Sequence, residues 1–390
     1  MQDSATPGRR LRIAVLNRQF SATGGGAERY SLALVEQLAL RHEMHVFAQQ
    51  IDHAWPGVTY HRVFQPFKRP RWLNQLWYAG ATWWATRHGF DVVHSHENTW
   101  HGTVQTVHVL PVRYNLFRDK AGVSLALRWL KVMTSPRLLV YLGLERGRMS
   151  LVKPRVIVVT SSSLTEQTAQ AYPACRSAIR VISPGVAHVP GLASAAQRLA
   201  ARKDLGLPAS GRCVLFVGND YRKKGLVTLI EALGQLPVDC FLAVVGNASH
   251  IPEFQALASQ RKVLPRVFFL GPRQAIDEVY TAADCLVHPT LEDTFAMVVL
   301  EAMAHGLPVL VSQQKYCGIS GLLTHELHAL LLEDPTQANA LAAALQRLFN
   351  DADLRQRLSA SATEFASHHL WSNVARQQDA VYTSLCSPSR

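Results

Sequence analysis

The chain reads as an α/β protein of two doubly wound domains, and three observations predict this. Apolar runs typical of buried parallel strands alternate with helical spacing along both halves. Its 390 residues exceed one comfortable core and suit two domains of ordinary size. A loop rich in glycine follows the first strand of one half and a loop rich in cations follows that of the other. At both, a helix start can meet an anion.

The first half opens with a strand, Arg12 to Asn17, running into the loop SATGGGAER with Gly24, Gly25 and Gly26. The spacing of Leu32, Leu34, Val35, Leu38 and Leu40 predicts a helix, and Met44 to Ala48 a second strand. A dinucleotide fingerprint does not fit this βαβ unit: Arg29 stands at the third glycine position, and no acidic residue ends the second strand. Trp72 to His88 reads as a helix crowded with aromatics, and Phe90 to Ser95 as a buried strand. His94, His96, His101 and His108 follow closely, without the cysteines or carboxylates that would complete a metal site. His108 ends a further strand, TVQTVHV.

From Arg113 to Arg155 there are ten Lys or Arg against Asp119 and Glu145, a local balance of +8 within a net charge of +12. Basic residues alternate with Leu, Trp and Tyr, which predicts an amphipathic helix pair on an anionic leaflet. The competing reading is a solvated basic face whose apolar side enters the core. Nucleic acid is not expected as a partner, because no recognised module accompanies the charge. No stretch is long and uncharged enough to span a bilayer. The N-terminus reads as a first strand rather than a signal peptide. Six cysteines without metal-like spacing suit a reduced, cytoplasmic setting.

Val156 to Ser163, a strand ending in a polar loop, then a helix and the run IRVISPGV close the first half, and the linker is expected between Gly185 and Ser194. The second half starts with the strand Val214–Val217, then Gly218, the cations Arg222, Lys223 and Lys224, Gly225, and a helix from Leu226 to Leu233. Such cations beside a helix start face a phosphate by side chain and by dipole. Further strands are read at Cys240–Asn247 and Arg266–Pro272, and a helix from Asp334 to Phe349. Asp351 and Asp353 read as helix-capping residues.

The second half turns on Cys285 to Ser312, which reads strand, polar loop, helix (Met297 to Ala304), strand. It carries Asp293 at the helix start and Glu301 eight positions on. A carboxylate in so apolar a helix needs partners, and a vicinal diol supplies two donors to it. A helix cap is the competing role for Asp293.

DTFAMVVLEAMAHGLPVL resembles the acidic-x7-Glu signature of the retaining family-4 (group 1) glycosyltransferases. Asp293, Thr294 and Ala296 replace that pattern's usual Glu, Gly and Gly. The loop GGGAER, the run IRVISPGV (with Ser183 and Pro184 altered) and the KKG loop are similar to that family's other segments, in the same order. The resemblance implies the GT-B architecture. Its parts would be an acceptor domain (1–185), a nucleotide-sugar domain (186–370) and a terminal helix (371–390) returning to the first.

It further implies transfer of a hexose, with retention, from a nucleotide diphosphate sugar, UDP-linked or GDP-linked. Lys224 with Arg222 or Lys223 would neutralise the diphosphate. Glu301 would hold the ribose diol, and Asp293 and His108 would orient the sugar. Phe295, Ala296 and Met297 would meet the donor at a helix start, and Gly25 and Gly26 the phosphates. No metal or other cofactor is expected, since fixed cations meet the leaving charge. With the basic, aromatic first half, the expected acceptor is lipopolysaccharide core or another lipid-linked glycan at the inner membrane surface. The alternatives are a non-catalytic, membrane-associated nucleotide-sugar binder and a sugar-nucleotide epimerase on the same architecture.

Overall fold

The computed structural model describes residues 9–21, 25–152 and 154–386. They form two compact units: the chain up to Ser183 together with the segment from Trp371, and Pro184–Leu370. The chain therefore changes unit at Ser183–Pro184. Residues 185–194, expected as a linker, are held to the second unit: Val186 N–H donates to His369 O at 2.8 Å and Gly191 N–H to Ala304 O at 3.0 Å.

The strands of the first unit are β1 (Arg12–Leu16), β2 (Gln19–Phe20), β3 (Glu43–Ala48), β4 (Gln50–Ile51), β5 (Val58–Arg62), β6 (Val92–Ser95), β7 (Val104–Val107), β8 (Val156–Val159) and β9 (Ile179–Val181). Among the described residues, β2 and β4 pair with each other and the rest form one parallel sheet in the order β5-β3-β1-β6-β7-β8-β9. Strand order reverses between β1 and β6, where open α/β sheets leave a crevice at their carboxyl ends. Its helices are α1 (Gly26–Leu38), α2 (Arg71–Thr86), α3 (Val112–Phe117), α4 (Gly122–Met133), α5 (Pro136–Arg148) and α6 (Ser162–Ala171).

The second unit holds β10 (Arg212–Val217), β11 (Cys240–Val245), β12 (Val267–Gly271), β13 (Cys285–His288), β14 (Val309–Ser312) and β15 (Leu330–Leu332). They form a parallel sheet in the order β12-β11-β10-β13-β14-β15, so its reversal lies between β10 and β13. Cys213 to Phe216 and Cys285 to His288 are buried throughout, as central parallel strands covered on both faces must be. Helices α7 (Ala195–Asp204), α8 (Leu226–Leu233), α9 (Ile251–Gln260), α10 (Ile276–Ala282), α11 (Met297–Ala304), α12 (Ala338–Asn350) and α13 (Ala352–Ser367) cover that sheet. Helix α12 starts four residues after the expected Asp334. That carboxylate accepts from Thr336 N–H and Oγ1 at 2.9 and 2.7 Å, a local turn that competes with helix.

The last helix, α14 (Trp371–Cys386), belongs to the first unit, where it packs on α1. Tyr382 hydroxyl lies 2.6 Å from His94 Nδ1, and Asp379 takes His42 at 2.8 Å and Arg41 at 3.1 Å.

Two helices of the first unit face solvent in unequal ways. In α4 only Val132 is buried, while Val123, Leu127, Trp129, Leu130 and Met133 are exposed. Helix α5 turns inward instead. Its Leu138 and Leu144 are buried, Glu145 accepts from Val112 and Arg113 N–H at 2.6 and 2.9 Å, and Arg148 donates to Gln105 Oε1 at 3.1 Å. The amphipathic pair expected from sequence is thus one surface helix and one core helix. No described helix is long and apolar enough to cross a membrane.

Candidate active site

The cations and carboxylates singled out in the second unit gather at its switch point. The loop after β10 carries Arg222, Lys223 and Lys224, and the neighbouring loop after β13 carries Glu292 and Asp293. Gly225 ends the first loop with φ +81° as the N-cap of α8. A Cβ there would sit 1.9 Å from Pro289 O, so only glycine lets the loops approach this closely. Leu291 N–H donates to Lys223 O at 2.9 Å and fastens them backbone to backbone.

Each cation has a carboxylate partner. Lys224 Nζ lies 2.6 Å from Asp293 Oδ2 and donates to Glu292 O at 3.2 Å; Lys223 Nζ lies 2.5 Å from Glu292 Oε1; Arg222 pairs with Glu253 at the start of α9. The two second cations left open beside Lys224 therefore diverge. Lys223 and Lys224 point to the β13 loop, whereas the largely exposed Arg222 points to α9.

Asp293 is occupied on both oxygens. Oδ1 accepts from Phe295 N–H at 3.2 Å and Ala296 N–H at 2.9 Å, which fixes the turn leading into α11; Oδ2 accepts from Lys224 and, at 3.2 Å, from His288 Nε2. A carboxylate has about four lone-pair positions, so a sugar hydroxyl reaches Asp293 only if one of these donors leaves. Burial alone would raise the Asp293 carboxyl, but the His288 hydrogen bond and the Lys224 charge outweigh it and hold it well below the usual carboxylate range. His288 is 1% exposed, and burial pushes its imidazole below the ordinary value although Asp293 pulls the other way. Nε2–H is then the donor to Asp293, and Nδ1 has no partner among the described residues.

Ala296 takes the left-handed conformation, φ +71° and ψ +70°, at the N-cap of α11. An L-residue there costs roughly 1–2 kcal/mol, which is why glycine is the expected type at such a position. Phe295 is buried and its carbonyl accepts from Ile319 N–H at 3.0 Å, so the backbone N–H groups of Phe295 and Ala296, expected to meet the donor, are already engaged by Asp293; Met297 opens the helix half-buried. Glu301 lies further along α11, half-buried, with Oε2 accepting from the buried Tyr280 hydroxyl at 2.8 Å. His288 and Tyr280 are the site neighbours that sequence reasoning missed. The available signal was His288's place at the carboxyl end of a parallel strand beside a switch point.

In the first unit, Gly25 is the N-cap of α1 and Gly26 its first residue; Gly24 lies outside the described residues. A Cβ on Gly25 would come 3.0 Å from Glu28 Oε2, so a carboxylate of the first turn stands close to this helix start. His108 follows β7, its Nε2 2.9 Å from His96 Nδ1, the rings stacked and Tyr30 edge-on at 5.0 Å. Burial, and secondarily Arg148, pushes His108 down to about 3, so at neutral pH it is an uncharged imidazole able to donate or accept.

Comparison with known proteins bears on the family and the fold. Residues 24–188 match the model described as Glycosyltransferase Family 4, and residues 197–365 that described as Glycosyl transferases group 1. The D-inositol 3-phosphate glycosyltransferase of Corynebacterium urealyticum is 30% identical over 247 residues, 59% of this chain and 57% of that protein. Its namesake from Xylanimonas cellulosilytica is 33% identical over 238 residues, 58% and 56% of the two chains. The match thus spans little more than half the length of these curated relatives. Among solved structures, WaaG, a glycosyltransferase involved in lipopolysaccharide biosynthesis, superposes with a TM-score of 0.81 at 21% identity, over 95% of this chain and 99% of that one. Anabaena Alr3699/HepE in complex with UDP and glucose gives 0.75 at 19% identity, over 96% and 100%. These likenesses show the GT-B fold. With one family model falling on each unit, the chain belongs to the family-4, group 1 glycosyltransferases.

Proposed function

We propose that the chain transfers a hexose from a nucleotide diphosphate sugar to a lipid-linked or lipopolysaccharide-core glycan at an anionic membrane surface, on its cytoplasmic side. The observation that carries the reading is the cluster at the second switch point, where Lys223 and Lys224 beside the start of α8 adjoin Asp293 and the helix of Glu301. In this reading the diphosphate takes Lys224 and Lys223 from their carboxylates, and Glu301, steadied by Tyr280, accepts from the ribose diol. His108 and Asp293 orient the sugar, while the corner from Phe295 to Met297 and the backbone at Gly25 and Gly26 approach the donor. Negative charge developing on the leaving diphosphate is met by fixed ammonium groups, so the reaction needs no metal ion or other cofactor. The sugar is displaced from its front face, with retention. A UDP-sugar is the favoured donor, in keeping with the UDP and glucose bound to HepE, and a GDP-sugar is second.

The membrane assignment is supported by α4. An apolar face left outside the core, flanked by Arg128 and Lys131 in a segment of net +8, suits an interfacial helix on anionic lipid. A second reading of the acceptor is a soluble phosphorylated polyol, favoured by the names of the relatives from C. urealyticum and X. cellulosilytica.

The test is nucleotide release from UDP-, GDP- and ADP-sugars with EDTA present throughout, offering either lipopolysaccharide and membrane lipid or D-inositol 3-phosphate as acceptor. Release that depends on the lipid-linked acceptor and is lost in Glu301→Ala and Lys224→Ala is expected. Release with the polyol alone moves the acceptor to the second reading, and donor binding without turnover on any acceptor leaves a nucleotide-sugar-binding protein.

A further inference from the structure

We infer that His288 is a positioning residue of the donor site, the group that keeps Asp293 in place once a diphosphate has drawn Lys224 away. The inference rests on the reading of Lys224 as a diphosphate ligand, and its geometry is local to β13 and the loop that follows. Asp293 Oδ2 has two donors, Lys224 Nζ at 2.6 Å and His288 Nε2 at 3.2 Å. One is movable: Lys224 is a flexible chain, a fifth of its side chain exposed, and its ammonium is a point charge that any phosphate oxygen can share. The other is fixed. His288 ends β13, which is paired in parallel with β14 through His288 and Val311, and its side chain is 1% exposed.

The fixed donor also has no second task. Nδ1 is buried without a partner, although buried polar atoms are nearly always satisfied. A leucine at this strand end would avoid that orphan, so the imidazole's use lies in its other nitrogen, and that nitrogen meets Asp293. What it protects is local and specific. Asp293 Oδ1 holds Phe295 N–H and Ala296 N–H, the backbone corner where Ala296 sits at φ +71°. If Oδ2 lost both donors the carboxylate would turn toward water, and the turn leading into α11 would loosen as the donor arrives. With His288 in place, Lys224 leaves and the corner stays.

The inference is tested in the full chain by four measurements. Imidazole 15N shifts report the tautomer of His288; titration with UDP reports nucleotide affinity for the wild type and Lys224→Ala; urea unfolding reports stability; and steady-state transfer is compared in wild type, His288→Leu and His288→Gln. The expected result is an Nε2–H tautomer with and without UDP. His288→Leu should lose about tenfold or more in kcat, the value of one hydrogen bond to a charged group, with its donor KM within about threefold. His288→Gln, whose amide can donate along the same direction, should recover most of kcat at whatever stability it shows. An Nδ1–H tautomer, a His288→Leu variant turning over like the wild type, or a His288→Gln variant no better than His288→Leu at equal stability would each overturn the role of His288. A wild type indifferent to UDP, GDP and ADP, or a Lys224→Ala variant binding them equally well, would overturn the donor-site reading and this inference with it.

Discussion

Replacing Asp293 with asparagine removes one charge and almost no volume. The amide oxygen can still accept from Phe295 and Ala296 N–H, so the turn leading into α11 survives. Its NH2 group then takes the place of Oδ2 and sets donor against donor at Lys224, while His288 can accept from it only by moving its proton from Nε2 to Nδ1. Breaking a fully buried ion pair by removing one partner costs roughly 3–5 kcal/mol. Here the two side chains keep 20% and 16% of their exposure, and the freed ammonium can turn to water. A loss of about 2–3 kcal/mol is therefore expected. For a unit of this size each kcal/mol lowers the midpoint by roughly 2–4 °C, giving roughly 4–12 °C in all.

The pH dependence carries a sign. Because the native carboxyl is held below the usual range, the stability it contributes is complete above the unfolded value of about 4 and is lost as pH falls below it. The gap between wild type and Asp293→Asn should then be level from pH 6 to 8 and should narrow below about pH 4. Urea unfolding of both proteins across that range is the assay. A gap under about 1 kcal/mol at pH 7 would refute the reasoning, because it would make Lys224–Asp293 no better than an exposed pair.

Tyr280→Phe should leave the fold intact and raise the donor KM by about tenfold, since Glu301 loses the hydroxyl that orients it; donor titration with a matched stability curve decides this. Reversing Arg128 and Lys131 together to Glu should lower partition onto anionic vesicles by tenfold or more, at about 1 kcal/mol per cation, whereas Leu127→Gln with Leu130→Gln should lower it even at high salt; vesicle sedimentation separates the two effects. His94 is fully buried, and burial pushes it down to about 3. Its contribution to stability is complete above about pH 6.5 and falls as acid protonates the unfolded chain. The first unit should thus lose about 2 kcal/mol from His94 alone between pH 7 and 4.5, and His94→Gln should flatten that part of the slope in a denaturation series.

Much of the second unit was legible because local chemistry and tertiary packing agree there. Helices α8 and α11 run from Leu226 to Leu233 and from Met297 to Ala304, the spans read from apolar spacing and from the glycines and proline around them. The ion pairs were not legible. Lys224 and Asp293 lie 69 positions apart and meet because β10 and β13 are neighbours in the sheet, a fact of strand order that no local pattern carries. Helix α2 shows the same limit from another side. Trp77, Trp83 and Trp84 are exposed, while Asn74, Gln75 and Thr82, which no apolar pattern marks, are buried. The polar side chains are inside because each has a partner: Asn74 exchanges hydrogen bonds with Gln49, Gln75 donates to Asn98 O, and Thr82 donates to Tyr78 O. Periodicity reports which residues share a face and not which face has partners waiting.

The return of α14 to the first unit sets a timetable for synthesis. The ribosome makes the sheet and helices up to Ser183, then the whole of Pro184–Leu370, and only afterwards the helix that completes the first unit. At 5–20 residues per second those intervening 187 residues take roughly 10–40 s. Throughout that interval Tyr30 has no Trp371 against its ring, His94 no Tyr382 hydroxyl, and His42 no Asp379. The half made first is therefore finished last, and a nascent chain stalled before Trp371 carries an open seam along α1 although the segment of the second unit is already complete.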